Sequence, residues 1–179
     1  MDATDLIAGI GALANEPGDA LFNFEAGTAF DRSFTVVSVR GHEAISKLFR
    51  FEVTVLLDAD EDPSGELLQK PARMTFRSGD EAVRTVRGIV GAIEPTSARL
   101  FDGRRAWRFK LVPRMWLLKH RVTSRIFQDL SVPEIISTVL EGVGLAGLWK
   151  LVRTYPVRDY CVQYQESDYA FVKRLLAEE

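Results

Sequence analysis

The chain has 179 residues, 46% of them hydrophobic and 27% charged, a composition that excludes a largely disordered polypeptide. Cys161 is the single cysteine, which excludes a disulfide framework and fits a reducing compartment. No apolar stretch reaches the length of a membrane span, and the apolar N-terminal residues lack the basic flank of a signal peptide. We therefore expect a protein that is made in the cytosol and does not insert stably into a membrane.

The net charge of −2 conceals an uneven distribution of charge along the chain. Residues 1–66 hold 4 basic and 13 acidic side chains, net −9, whereas residues 67–179 hold 19 and 12, net +7. The segment from Arg104 to Arg125 is rich in arginine and lysine and contains no acid. We expect the two halves to attract each other or other copies, and this basic segment to have anionic or polar neighbours.

Residues 1–30 predict an N-terminal extension with one short helix that begins at Thr4. From Ser33 onward every second residue tends to be hydrophobic, a pattern that is typical of strands. The predicted strands are 33–40, 48–57, 72–77, 81–94 and 105–113. In the fourth of these, Gly88 and Gly91 indicate a bulge or sharp bend. Strands joined by short polar connections favour a closed or nearly closed antiparallel barrel, which we place at residues 31–115.

Residues 116–179 predict a smaller α+β domain. Ser131 and Glu134 have the spacing of a capping box, an apolar stripe follows, and Gly142 marks the end of the helix. A strand over residues 158–165 precedes a final helix that begins after Ser167. The predicted fold class is thus α+β, mainly β, with an antiparallel β-barrel followed by a smaller α+β domain.

The final helix ends with Glu178 and Glu179, where the helix dipole favours basic side chains. No Gly or Pro stop signal accompanies them. This pattern is unusual for the end of a helix, although two exposed glutamates there would cost only a few tenths of a kcal/mol.

Candidate chemical sites are few. Asp58, Asp60 and Asp62 are spaced like the start of a calcium-binding loop, but Pro63 and Gln69 stand where that loop needs Gly and Glu. His42, His120 and Cys161 cannot supply a structural zinc set, and neither a nucleophile elbow nor a phosphate-binding Gly loop is present. We predict no catalytic residue, no cofactor-binding residue, no metal ligand and no cofactor.

The basic segment with Trp107, Phe109 and Trp116 admits a second interpretation, an OB-like binder of single-stranded nucleic acid. The alternation of apolar and basic residues over 107–111 argues against this interpretation. Such a pattern places Trp107 and Phe109 in the core and the cations on the opposite face. The sequence pI of 5.8 is also low for such a domain. We expect no nucleic-acid partner.

Several separated motifs, in order, resemble one family. They are "FTVVSVRGHEAISKLFRFEVTVLL", "VRGIVGAIE", "FKLVPRMWLLKHRVTSRIFQDLSVPEIISTVLE" and "YCVQYQESDYAFVKRLLAEE", with "RIFQ" at 125–128 and "QYQESD" at 163–168 the most telling. The region from Phe34 to Glu179 is similar to the N-terminal hub of VgrG, the spike protein of type VI secretion systems, and to baseplate hubs of contractile phages. Residues 1–30 fall outside this resemblance.

The resemblance implies a structural hub fragment without enzymatic activity, connecting a tube to a puncturing needle during effector delivery. It implies a homotrimer in the full-length protein, and as further partners a hexameric tube protein (Hcp-like), baseplate components, and effectors or adaptors. Assembly would take place in the cytoplasm, before secretion or injection into target cells. The resemblance also implies that the α+β domain is truncated and a second barrel is missing, so that Glu178 and Glu179 lie at an interior position of a longer protein or end a separately encoded hub fragment. The alternative is a baseplate hub of a phage or another contractile injection system.

Overall fold

The computed structural model describes residues 21–79 and 81–179, so the helix predicted at Thr4 lies outside the described residues. The chain divides into two compact units whose boundary falls between Pro113 and Arg114. The sequence placed this boundary two residues later, between residues 115 and 116.

In the described part of the first unit, six antiparallel strands form a closed barrel. Their bounds are β1 Phe22–Ala26, β2 Arg32–His42, β3 Arg50–Leu57, β4 Pro71–Ser78, β5 Glu81–Arg99 and β6 Arg105–Val112. A short helix, α1 (Ser64–Leu67), lies between β3 and β4. The strand order is β1-β2-β3-β6-β5-β4, and pairing of β1 with β4 closes the barrel. The predicted fold class, mainly β with an antiparallel barrel, is confirmed.

The barrel begins earlier than the sequence predicted. Strand β1 lies before residue 31, in the region interpreted as an extension, and its Phe24 is paired with Phe34 of β2 and Met74 of β4. This strand has only five residues, too few for its alternation to stand out. Its stability depends on partners distant in the sequence, which a local pattern does not reveal.

The barrel interior is packed with aromatic and aliphatic side chains. The ring centroids of Phe24, Phe34 and Phe109 lie between 5.2 and 5.8 Å from one another, within the range of favourable aromatic pairs. Trp107 is also buried, whereas Arg108 on the same strand is exposed. The predicted division of β6 into a core face and a charged face is therefore confirmed.

The glycines of β5 occupy positions where a side chain has no room. The pairing of β5 with β6 shifts register between Val90 and Ala92, which confirms the bulge predicted near Gly91. At Gly88, an added Cβ would lie 2.2 Å from the carbonyl oxygen of Val112. Both glycines allow the backbones of β5 and β6 to approach closely at this bend.

The second unit begins with a 3₁₀ helix, Arg114–His120, and continues as an α+β arrangement. Its further elements are β7 Val122–Phe127, β8 Leu130–Ser131, α2 Val132–Glu141, β9 Val157–Arg158, β10 Cys161–Ser167 and α3 Asp168–Glu178. Strand β7 pairs with β10, and β8 pairs with β9. The capping box of Ser131 and Glu134 is present, and Ser167 accepts a hydrogen bond from the amide of Ala170, so both predicted helix starts are confirmed.

The core of this unit joins α2, α3 and the inner face of the β7–β10 sheet. Its fully or nearly fully buried members are Leu118, Phe127, Val132, Ile135, Ile136, Val139, Leu140, Cys161, Phe171, Val172 and Leu175. Strand β7 was not predicted, because its residues mix arginine, threonine and serine with only a few apolar side chains.

We predict that Gly88→Ala lowers the free energy of unfolding by about 2 kcal/mol, because the new methyl group forces the Val112 carbonyl and its strand to move. Urea denaturation followed by far-UV circular dichroism measures this change.

Gly65→Ala is the matched control. Gly65 lies in α1, and an added Cβ would meet no atom within 4 Å apart from its chain neighbours and the backbone of its own helix, so the substitution leaves stability unchanged or slightly raised. Equal denaturation midpoints for Gly88→Ala and the unsubstituted protein would contradict the steric account.

Candidate functional site

The surroundings of the side chains considered for catalysis or metal binding give no sign of a reactive site. His42 is exposed at the end of β2, His120 packs against Trp116 with ring centroids 4.2 Å apart, and Cys161 is a buried, free thiol. Within residues 21–79 and 81–179, no three His, Cys, Asp or Glu side chains cluster as metal ligands. That the chain has no catalytic, cofactor or metal site stays a prediction.

The acidic turn after β3 has local structural roles. The Asp62 carboxylate accepts a hydrogen bond from the amide of Ser64 at 2.9 Å, next to the start of α1, and this bond lowers the pKa of Asp62. Glu61 forms an ion pair with Arg32. Asp58 and Asp60 are exposed, as expected for a solvated turn. Part of the acidic charge in the first half of the chain is therefore neutralised within the barrel unit.

The aromatic residues of β6 are not available to stack on nucleic-acid bases. Trp107 is 4% exposed and Phe109 is fully buried, so the cations of this strand have no exposed aromatic partner beside them on β6. This arrangement argues against the OB-like nucleic-acid interpretation.

A buried polar cluster in the second unit is built around the carboxylate of Asp168, which is completely buried. Arg125 of β7 forms an ion pair with this carboxylate, and the side-chain amide of Gln163 donates a hydrogen bond to it at 2.9 Å. Arg125 also donates to the side-chain oxygen of Gln163 at 3.0 Å. Because each side chain contacts the other two, they hold one geometry.

The same cluster fixes the start of helix α3. The amide of Asp168 donates a hydrogen bond of 2.9 Å to the carbonyl oxygen of Arg121, and the Arg121 Nε atom lies 3.5 Å from Oδ2 of Asp168. The carboxylate lies in the first turn of α3, where the helix dipole favours negative charge. The cluster therefore joins β7, β10 and α3.

The sequence pattern did not assign a role to this cluster, although its members lie in the two most telling motifs. Arg125 belongs to "RIFQ", and Gln163 and Asp168 belong to "QYQESD". The alternation of β7 contained a usable signal, because Arg125 is in phase with buried Phe127. A charged residue on an apolar strand face indicates a buried ion pair. Asp168 is therefore one of the anionic neighbours expected for the basic segment from Arg104 to Arg125.

Arginines surround the two glutamates at the end of α3. Arg158 approaches Glu178 at 2.7 Å and Glu179 at 3.1 Å, Arg153 approaches Glu179 at 3.1 Å, and Arg174 approaches Glu178 at 3.4 Å. The hydrogen bond from Arg158 lowers the pKa of Glu178. These ion pairs offset the unfavourable position of two acidic residues at the negative end of the helix dipole.

The outer face of the β7–β10 sheet exposes three large apolar side chains, with the polar Ser124 between two of them. Val122, Ile126 and Tyr164 are 64%, 61% and 71% exposed, and no charged side chain of β7 or β10 lies between them on this face. An exposed apolar surface of this kind is typical of a protein that makes further protein contacts.

We predict that Asp168→Asn lowers the free energy of unfolding by about 3 kcal/mol, because it leaves Arg125 without its counter-charge in a largely buried position. Thermal or urea denaturation measures the loss. Asp159→Asn, at an exposed position, is the control and is expected to have little effect. A loss no larger than that of the control would show that the buried ion pair contributes nothing.

We predict that the contacts of Glu178 weaken in acid. Because its folded pKa lies below the ordinary value near 4.5, the stabilisation is present above that pH and is lost as the pH falls through the lower folded value. A ¹³C NMR titration of the Glu178 carboxylate should give a midpoint below 4.5, and Arg158→Gln should raise it toward 4.5. An unchanged midpoint in Arg158→Gln would refute the assignment of Arg158 as the cause.

No helix within the described ranges is long and apolar enough to cross a membrane.

Comparison with known proteins gives a consistent family assignment. Residues 42–179 match the sequence model of the phage tail baseplate hub (GPD) family. The type VI secretion system spike protein VgrG4b of Pseudomonas aeruginosa is 37% identical over 147 residues, which are 80% of this chain and 18% of that protein. The chain thus spans about a fifth of the length of this relative.

Solved structures share the fold. The Escherichia coli c3393 protein, described as a type VI secretion component with structural similarity to the T4 tail proteins gp27 and gp5, aligns with a TM-score of 0.66 and 24% identity. The alignment covers 90% of this chain and 40% of that one. The 43 kDa tail protein of prophage MuSo2 from Shewanella oneidensis aligns with a TM-score of 0.57 and 15% identity, over 88% of this chain and 47% of that one.

The family match covers the barrel from the end of β2 onward and the whole α+β unit, including both motifs that build the Asp168 cluster. The chain belongs to the phage tail baseplate hub family.

Proposed function

We propose that the chain is a structural hub segment of a type VI secretion spike, which connects the tube to the puncturing needle during effector delivery. The observation that carries this proposal is the family match over residues 42–179, together with 37% identity to a named spike protein. The buried aromatic core of the barrel and the buried ion pair of the α+β unit suit a part that transmits force, because tightly packed interiors deform little.

The proposed role is mechanical and not enzymatic. The relatives compared above carry the names of spike and tail proteins. His42 is exposed and has no acid–base partner among the described residues, and His120 packs on a tryptophan. Neither environment provides the hydrogen-bonded orientation that a general base requires.

The proposed partners follow from the same role. They are two further copies in a full-length homotrimer, a hexameric tube protein of the Hcp type, baseplate components, and effectors or adaptors. The exposed apolar face of β7 and β10 offers surface for such contacts. Assembly takes place in the cytoplasm and is followed by secretion or injection into a target cell, without stable membrane insertion or binding to nucleic acid.

A baseplate hub of a phage or another contractile injection system is the second candidate. The description of the matching family and the fold shared with the Shewanella prophage tail protein favour it. The mechanical role of the barrel is the same in both machines.

Deletion of the coding region in its host tests the proposal. We predict that the tube protein disappears from the culture medium while its level inside the cells is unchanged, as measured by immunoblotting of both fractions. Loss of infectious phage particles with normal release of tube protein would favour the second candidate. Normal release together with normal phage production would contradict both.

Complementation separates a mechanical role from an enzymatic one. We predict that the double variant His42→Ala and His120→Ala restores release as fully as the unsubstituted chain, because neither side chain takes part in chemistry. Failure of this variant, at normal expression and stability, would argue for an enzymatic function.

A further inference from the structure

Strand β7 has a free edge. In the described part of the chain it pairs with β10 alone, as one half of a two-stranded sheet. Natural proteins often protect the unpaired backbone groups of an edge strand with proline or with exposed charged side chains. Strand β7 contains no proline, and its one charged side chain, Arg125, is directed at buried Asp168. This edge therefore has neither protection.

Two carbonyl groups show which residues of β7 face the free edge. In an antiparallel pair, successive residues direct their backbone groups alternately toward the partner strand and away from it. The carbonyl of Arg121 accepts a hydrogen bond from the amide of Asp168, on the β10 side. The carbonyl of Val162, which lies opposite Ile126, accepts one from the side chain of Arg174 and so faces the outer edge of β10.

By this alternation, Val122, Ser124 and Ile126 direct their N–H and C=O groups at the free edge. Across residues 21–79 and 81–179, no backbone hydrogen bond outside the ladder with β10 engages these groups. The same three residues place their side chains on the outer face of the sheet, where Val122 and Ile126 are largely exposed. Unpaired hydrogen-bonding groups and apolar surface therefore lie side by side.

Charge is distributed unevenly along this edge. Lys119 and Arg121 precede β7 and are exposed, whereas Asp129, which follows β7, is exposed and acidic. An antiparallel strand beside β7 therefore gains from a carboxylate at its C-terminal end, next to Lys119 and Arg121. It gains likewise from a basic residue at its N-terminal end, next to Asp129.

Helix α2 prevents a second copy of this chain from supplying that strand. The helix begins at Val132, after β7 ends, and the carbonyl of Gly142 at its far end accepts a hydrogen bond of 2.8 Å from Arg121, so α2 runs back along β7. Antiparallel pairing of β7 from two copies would place the strands about 4.8 Å apart, with both α2 helices on the same face. A helix is about 10 Å wide, so the two helices would collide, whereas a single extended segment needs only the width of one strand.

We propose that the free edge of β7 binds an extended segment of another protein, which joins the β7–β10 sheet as a third, antiparallel strand. Apolar side chains at alternate positions of this segment pack beside Val122 and Ile126 on the outer face. An acidic residue at its C-terminal end lies beside Lys119. The edge belongs to the α+β unit alone and does not depend on the proposed role in secretion.

A synthetic peptide, acetyl-Lys-Val-Thr-Val-Thr-Val-Glu-Glu-amide, tests the edge on the full chain. In ¹H–¹⁵N NMR spectra we expect saturable shifts and slower hydrogen exchange for the amides of Val122, Ser124 and Ile126. The amide of Ala170, which already donates to the Ser167 hydroxyl at 3.1 Å, is the internal reference and is expected not to shift. The same peptide with N-methylated valines keeps its side chains and charges but cannot donate hydrogen bonds to β7, so we expect it not to bind.

Charge reversal tests the orientation of the added strand. Lys119→Glu should raise the peptide concentration at half-saturation about fivefold, because it places like charges side by side. Lys47→Glu makes the same change at an exposed position of the barrel unit and should leave the titration unchanged. A peptide that ends in two lysines should reverse the order and bind Lys119→Glu more tightly than the unsubstituted chain.

The unsubstituted chain and the two forms of the valine peptide decide the question even if Lys119→Glu does not fold. The proposed edge pairing is refuted if the amides of Val122, Ser124 and Ile126 show no saturable shift, if the N-methylated peptide binds equally well, or if folded Lys119→Glu responds like Lys47→Glu. Protection of these amides without peptide, together with a dimeric mass by light scattering, would assign the edge to a second copy and would also overturn the proposal.

Discussion

Closure of the barrel by pairing of β1 with β4 is the constraint on which the first unit depends. Five cross-strand residue pairs connect these strands, although about fifty residues separate them in the chain. Closure removes the free edges of the sheet and completes the enclosure of Phe24, Phe34 and Phe109. An open sheet of the same strands would expose these rings and offer unpaired edges to other chains. A closed barrel presents loops and charged outer faces instead, which suits the hub role proposed above.

The second unit depends on a different interaction, the buried ion pair of Asp168 and Arg125. Its described part has two sheets of two strands each, too few for independent stability, so contacts between the sheets and the helices must hold the unit together. The carboxylate of Asp168 connects both strands to the start of α3, and the arginines near Glu178 and Glu179 hold the other end of that helix. This arrangement leaves one face of the sheet free for protein contacts.

The sequence predicted the barrel strands that follow Ser33, the core face of β6, the bulge near Gly91 and both capped helices, because each has a local pattern of sufficient length. It did not predict β1 or β7, which are short and depend on distant partners. The contact between Arg125 and Asp168 was also missed, since strand register and helix position together bring the two residues within reach. The interior chain position inferred for Glu178 and Glu179 stays a prediction, and the arginines that pair with these two residues were not predicted.

The central claim is that this chain forms a hub at the junction of tube and needle. Electron cryomicroscopy of spike–tube particles isolated from the host tests it most directly. The account predicts barrel density matching residues 22–112 at that junction, repeated around the axis of the particle. Particles that contain a complete tube and spike but no density for this barrel would contradict it.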